Sequence, residues 1–87
     1  MTQNNKIAIV TGASTGLGKS ISLKLALEGY EIILASRNEE KLKEVHDVIN
    51  KSGGESQVIV TDVSNEQDIK NLYSKIDIDR VDIVVNN

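Results

Sequence analysis

Apolar, largely β-branched runs alternate along the chain with segments in which apolar residues recur every three to four positions. Four runs, Lys6 to Thr11, Glu31 to Ser36, Ser56 to Thr61 and Arg80 to Val85, show little polar alternation, the pattern of strands buried on both faces of a parallel sheet. The segments between them predict three helices, lined by Leu17, Ile21 and Leu25, by Leu42, Val45 and Ile49, and by Ile69, Leu72 and Ile76. Gly29 and the Gly53-Gly54 pair read as stops for the first and second helices, Asn38 as an N-cap for the second, and Ser64-x-x-Gln67 as a capping box for the third.

The order βαβαβαβ, with right-handed crossovers, predicts the opening of a doubly wound α/β sheet with strand order 3-2-1-4. Two helices would then cover one face and the third helix the other. Ile83, Val84 and Val85 would form an open apolar edge, a physical reason to expect further chain beside it and to read residues 1–87 as part of a longer protein.

Composition narrows the chemistry. At 87 residues and 39% apolar content, the chain suffices for one small domain that buries roughly 60 to 65% of its unfolded surface. There is no Cys and only one His, which excludes a disulfide framework and leaves little for a transition-metal site. His46, flanked by Glu44 and Asp47, reads as a surface histidine. A net charge of −3, with ten basic residues in no run, argues against a general nucleic-acid binder. The polar start, Met1 to Asn5, lacks the features of a signal peptide, and no apolar run approaches the ~20 residues of a membrane span. A cytoplasmic setting is expected.

Gly12, Gly16 and Gly18 stand between the first strand and the first helix. Glycines there permit positive φ and a close approach of backbone to a diphosphate, and the free N–H groups of a helix start favour an anion. Such a helix end supplies ~0.3 to 1 kcal/mol per favourable charge, so the loop holds a phosphate without selecting the molecule that bears it. Two readings overlap here. Thr11 to Gly18 spells T-G-x-x-x-G-x-G, a dinucleotide loop. Ala13 to Ser20 approximates G-x-x-x-x-G-K-[ST], with Ala13 replacing the first Gly, and would use Lys19 and Ser20 on nucleoside triphosphate and Mg²⁺. The second reading leaves Arg37 and the terminal Asn pair unexplained and wants an apolar strand ending in Asp, for which Val58 to Asp62 is a weak substitute.

Together, Thr11 to Gly18, Ala35-Ser36-Arg37-Asn38 closing the second strand, Asp62-Val63 after the third, and Val84-Val85-Asn86-Asn87, like the start of N-N-A-G, resemble the short-chain dehydrogenase/reductase family over the whole chain. The resemblance implies the N-terminal part of a single NAD(P)-binding Rossmann domain. It implies cofactor contacts from Gly12, Ser14, Thr15, Gly16, Leu17, Gly18, Arg37, Asp62, Val63 and Asn86, and no metal. Asp62 would face the adenine amino group, the Val63 amide a ring nitrogen, and Asn86 the cofactor ribose.

In dinucleotide folds an acidic residue about 20 positions beyond the loop binds the adenosine ribose hydroxyls. Here Ser36 and Arg37 stand in that place. A guanidinium holds a 2′-phosphate through paired, charge-assisted hydrogen bonds, whereas a carboxylate repels it, so NADP(H) is expected over NAD(H). Ser14 would add a hydroxyl to the same phosphate. The plain structural reading of Arg37 is a solvated strand end paired with Glu39 or Glu40.

The family's reaction is hydride transfer to or from a carbonyl or alcohol substrate, using a Ser and a Tyr-x-x-x-Lys, usually in a homo-oligomer. Tyr30 is followed four places on by Leu34 and Tyr73 by Asp77, so both tyrosines read as packing residues. The chain by itself is expected to hold a cofactor without turning over substrate. A non-catalytic dinucleotide-binding module that pairs with another chain remains a third reading.

Overall fold

The computed structural model of the protein describes residues 6–87; the polar Met1 to Asn5 segment lies outside them. The elements are β1 (Lys6–Thr11), α1 (Gly16–Leu27), β2 (Tyr30–Ser36), α2 (Glu39–Lys51), β3 (Glu55–Val60), α3 (Glu66–Ser74), a one-turn 3-10 helix (Ile78–Arg80) and β4 (Val81–Val85). All strand pairs are parallel and the sheet order is β3-β2-β1-β4, the doubly wound α/β arrangement expected. Arg80 belongs to the turn that delivers β4 rather than to the strand.

Because every strand side chain alternates faces, the sheet has two cores. On one face Ala8, Val10, Ile32 and Leu34 meet Leu42, Val45 and Ile49 of α2. On the other, Ile7, Ile9, Ile33, Ala35 and Ile59 meet Leu72 of α3, with Ile76 packed beside them from just beyond the helix. Leu42, Val45 and Ile49 are almost wholly buried, each contributing about 1.5 to 3 kcal/mol of apolar transfer energy. β4 is an edge strand, and Val84 on it is 46% exposed.

The buried line of α1 differs from the predicted Leu17, Ile21 and Leu25. Leu17 is 67% exposed, and the residues the helix buries are Gly18 and Ser22. Leu25 and Ala26 continue that line as half-buried neighbours of the core. Small residues at the helix start let the α1 backbone lie close to the β1 loop, which a leucine stripe would prevent. The Ser22 hydroxyl, fully buried, is satisfied by donating to the Gly18 carbonyl at 2.8 Å.

The cap of α3 is shifted by one residue. Asn65, not Ser64, is the N-cap, its side chain accepting from the Asp68 N–H at 3.0 Å. Asn38 caps α2 as expected, accepting from the Lys41 N–H at 3.1 Å. Gly29 and Gly53 adopt φ of 98° and 88° just after the C-caps Glu28 and Ser52. His46 is half-buried rather than a plain surface residue, because the turn of α2 carries it toward β3. Its Nδ1 lies 2.5 Å from Ser56 Oγ and its Nε2 3.0 Å from Asn50 Nδ2. Tyr30 is half-buried at the start of β2, whereas Tyr73 is exposed on α3 and is not a core residue.

Candidate functional site

Parallel strands end on one side of the sheet, and the order reverses at β1: the chain builds outward from β1 through β2 to β3, then crosses back to place β4 on the other side of β1. Ligands of open α/β sheets bind at such a switch point, beyond the carboxyl ends of the strands. A cleft of about 280 Å³ opens there, lined by Gly12, Ser14, Ser36, Arg37, Asn38, Thr61, Val63 and Asn87.

The loop after β1 is shaped by what its glycines leave out. Gly12 and Gly16 have φ of 62° and 55°, a conformation costly to side-chain-bearing residues. A Cβ on Gly18 would lie 2.1 Å from the Gly12 carbonyl oxygen, so only glycine lets the first turn of α1 close against the loop. Between them Ala13 is fully buried, and its N–H donates to the Ala35 carbonyl at 3.3 Å. That disfavours the triphosphate-loop reading: the residue in place of its first Gly points its amide into the sheet, not toward a ligand.

The three helix starts are finished differently. Asn38 and Asn65 cap α2 and α3, which also carry Glu39, Glu40, Glu66 and Asp68 in their first turns. At α1 the N-cap Thr15 makes no side-chain cap bond and the first turn holds no acid. The N–H groups of Gly16, Leu17 and Gly18 thus have no side-chain cap among the described residues. With the glycine cradle beside it, this end of α1 fits the diphosphate of a dinucleotide.

The floor of the cleft is braced across β1 and β4. Thr11 Oγ1 donates to the Val85 carbonyl at 3.2 Å and accepts from the Asn87 N–H at 3.1 Å, while Asn87 Nδ2 donates to the Gly12 carbonyl at 3.4 Å. On the other flank, Ser36 Oγ accepts from the Asn38 N–H at 3.2 Å, and the Ser36 carbonyl accepts from the Thr61 N–H at 2.8 Å. Arg37 is exposed and makes no ion pair among the described residues; Glu39 instead approaches Lys43 at 3.9 Å. The guanidinium at the end of β2 is therefore available to an anion.

Asp62, after β3, accepts from the Ser64 hydroxyl at 2.6 Å and the Ser64 N–H at 2.9 Å through Oδ1. Those two bonds, the hydroxyl foremost, hold its carboxyl below the ordinary carboxylate value against the opposing effect of burial, and the charge of Arg37 adds a lesser lowering.

Of the residues expected to contact a cofactor, the cleft brings together Gly12, Ser14, Arg37 and Val63. Gly18 lies buried beneath the loop, Thr15, Gly16 and Leu17 form its exposed outer turn, Asp62 sits between the lining residues Thr61 and Val63, and Asn86 is exposed at the end of β4. Ser36, Asn38, Thr61 and Asn87 are further lining residues. The sequence signal for Ser36 and Asn38 was their place around Arg37 at a strand end. For Asn87 it was its place beside Asn86 in the Val84-Val85-Asn86-Asn87 motif. No group of three His, Asp or Glu side chains able to hold a metal occurs among the described residues, and no described helix is long and apolar enough to cross a membrane.

The family model for short chain dehydrogenases matches residues 6–87. The chain belongs to that family. Among curated relatives, it is 40% identical over 84 residues to the uncharacterized oxidoreductase Lmo0432 of Listeria monocytogenes, covering 88% of this chain and 34% of that protein. It is 40% identical over 86 residues to the short-chain dehydrogenase/reductase homolog YusS of Bacillus subtilis, covering 95% of this chain and 79% of YusS. Among solved structures, a metagenomic short-chain oxidoreductase in complex with NADP superimposes with a TM-score of 0.89 at 32% identity, over 98% of this chain and 40% of that one. YwfH, an NADPH dependent reductase, superimposes with a TM-score of 0.87 at 31% identity, over 95% and 34%. The chain spans about a third of the length of Lmo0432 and of several other curated relatives.

Proposed function

We propose that this chain forms the NADP(H)-binding part of a short-chain oxidoreductase, as the N-terminal part of a single Rossmann domain. The observation that supports it most is Arg37: a guanidinium without an ion-pair partner among the described residues, at the end of β2, lining the cleft with Ser14 where a carboxylate would select NAD(H). The relatives solved with NADP or described as NADPH dependent support the same choice. The amides of Gly16, Leu17 and Gly18 hold the diphosphate, Arg37 and Ser14 the 2′-phosphate, and Asp62 and Val63 the adenine, with Asn86 beside the ribose nearer the nicotinamide. When bound, the cofactor supplies or accepts the hydride exchanged with a carbonyl or alcohol. The Ser and Tyr-x-x-x-Lys expected from the family lie outside residues 1–87, so the work of these residues is to bind and orient. A cytoplasmic homo-oligomer is the setting this reading assigns to the whole protein.

Titration of the chain with NADPH and with ATP plus Mg²⁺ tests the proposal. Saturable NADPH binding that survives Lys19→Ala is the expected result. Mg²⁺-dependent ATP binding abolished by Lys19→Ala would restore the phosphoryl-transfer reading.

A further inference from the structure

Asp62 is tied down by the three residues of the following turn and helix that can reach it. Its N–H donates to Asp68 Oδ2 at 2.9 Å, its carbonyl accepts from the Asn65 N–H at 2.9 Å, and its Oδ1 accepts twice from Ser64, at 2.6 Å from the hydroxyl and 2.9 Å from the N–H. One polar atom of Asp62 is left without a protein partner among the described residues, the carboxylate oxygen Oδ2. The next residue, Val63, lines the cleft, and its N–H likewise has no protein acceptor among the described residues.

A free anionic acceptor and a free amide donor on adjacent residues form an acceptor–donor pair. Adenine offers the complement on its outer edge, a donor 6-amino group beside the acceptor N1. Hypoxanthine offers the reverse, a 6-oxo acceptor beside an N1–H donor, which sets oxygen against carboxylate and N–H against N–H. The contrast works only if the carboxylate is held with Oδ2 outward. An untethered Asp rotates about its terminal bond, and that freedom is what the two Ser64 bonds remove.

We propose that Ser64 is a positioning residue for purine recognition: by engaging Oδ1 of Asp62 it fixes Oδ2 beside the Val63 N–H and so sets a preference for a 6-amino over a 6-oxo purine. The inference rests on the dinucleotide reading above. Asp68 plays the companion role for the backbone, anchoring Asp62 to the first turn of α3.

The test compares NADPH with its reduced hypoxanthine analogue on the unmodified chain, Ser64→Ala and Ser64→Thr. Ser64→Ala lowers the preference for the adenine form by about threefold to tenfold, the effect of one lost hydrogen bond, while Ser64→Thr keeps it and the preference for NADPH over NADH is unchanged in both. Asp62→Asn, whose amide can donate to a 6-oxo group, shifts the ratio further toward the hypoxanthine form. An unaltered adenine-to-hypoxanthine ratio in Ser64→Ala or in Asp62→Asn, even with both affinities weakened, overturns the proposal and leaves Ser64 a structural turn residue. Failure of the unmodified chain to bind either cofactor would instead refute the dinucleotide reading and this inference with it.

Discussion

Asn87, two residues past β4, donates its N–H to the Thr11 hydroxyl at 3.1 Å, and Thr11 passes a hydrogen bond on to the Val85 carbonyl at 3.2 Å. The end of the central strand is thereby fastened to the end of its neighbour, directly under the phosphate loop. Thr11 is 7% exposed, and Thr11→Val leaves two part-buried backbone groups, the Val85 carbonyl and the Asn87 N–H, without their partner. The expected cost is about 0.5 to 1.5 kcal/mol in a denaturant titration, with weaker NADPH binding, and Thr11→Ser restores both. Equal stability of Thr11→Val and the unmodified chain would show that the brace contributes nothing.

Gly16 and Gly18 respond differently to the same substitution. At Gly16 a Cβ meets nothing within 4 Å, so Gly16→Ala carries only the strain of φ 55°, about 1 to 2 kcal/mol. At Gly18 it meets backbone, the Gly12 carbonyl oxygen at 2.1 Å. Gly18→Ala therefore forces α1 away from the loop, costs more than Gly16→Ala in thermal unfolding, and abolishes NADPH binding. Equal effects at the two positions would contradict this packing.

Acid titration probes the Asp62 turn. Its carboxyl is held below the ordinary value, first by the Ser64 hydroxyl. A group whose folded pKa is lowered contributes stability that is fully present above its unfolded pKa and lost as pH falls through the folded one. The stability difference between the unmodified chain and Ser64→Ala is accordingly present at neutral pH and disappears below the ordinary carboxylate range. A difference that stays constant on acidification would detach Ser64 from the ionised carboxylate.

The central strands β1 and β2 were legible because a strand buried on both faces has a nearly continuous apolar run, whereas the edge strands β3 and β4, expected to be buried likewise, alternate between exposed and covered positions. β1 matches its predicted span, while β2 and β3 differ by single residues at their ends. The α2 stripe, Leu42, Val45 and Ile49, was legible for the same reason: its apolar residues are large and its other faces charged. α1 misled because its buried line is made of Gly18 and Ser22, small residues that apolar periodicity does not register, while Leu17 faces outward. At α3, two capping residues stand side by side. Asn65 takes the helix because Ser64 is already engaged by Asp62. In the cleft, the glycines and Arg37 announced themselves by motif. Asn87 was legible as part of the Asn pair but its brace to Thr11 was not, since that link spans 76 residues of sequence and exists only once β4 lies beside β1.

The two helices supply a matched pair of substitutions. Ile49→Ala removes a fully buried side chain from between α2 and the sheet and costs about 2 to 5 kcal/mol. Leu17→Ala, at an exposed position, changes stability by about 0.5 kcal/mol or less. The reverse order in denaturant midpoints would restore the leucine stripe of α1 as its packing face.

Selection of the cofactor by Arg37 is the claim on which the functional reading turns, and paired titrations of the chain with NADPH and NADH test it most directly. Tighter NADPH binding is predicted, with the preference lost or inverted in Arg37→Glu and retained in Lys19→Ala. Tighter binding of NADH, or a preference that Arg37→Glu reduces no more than Lys19→Ala does, would contradict it.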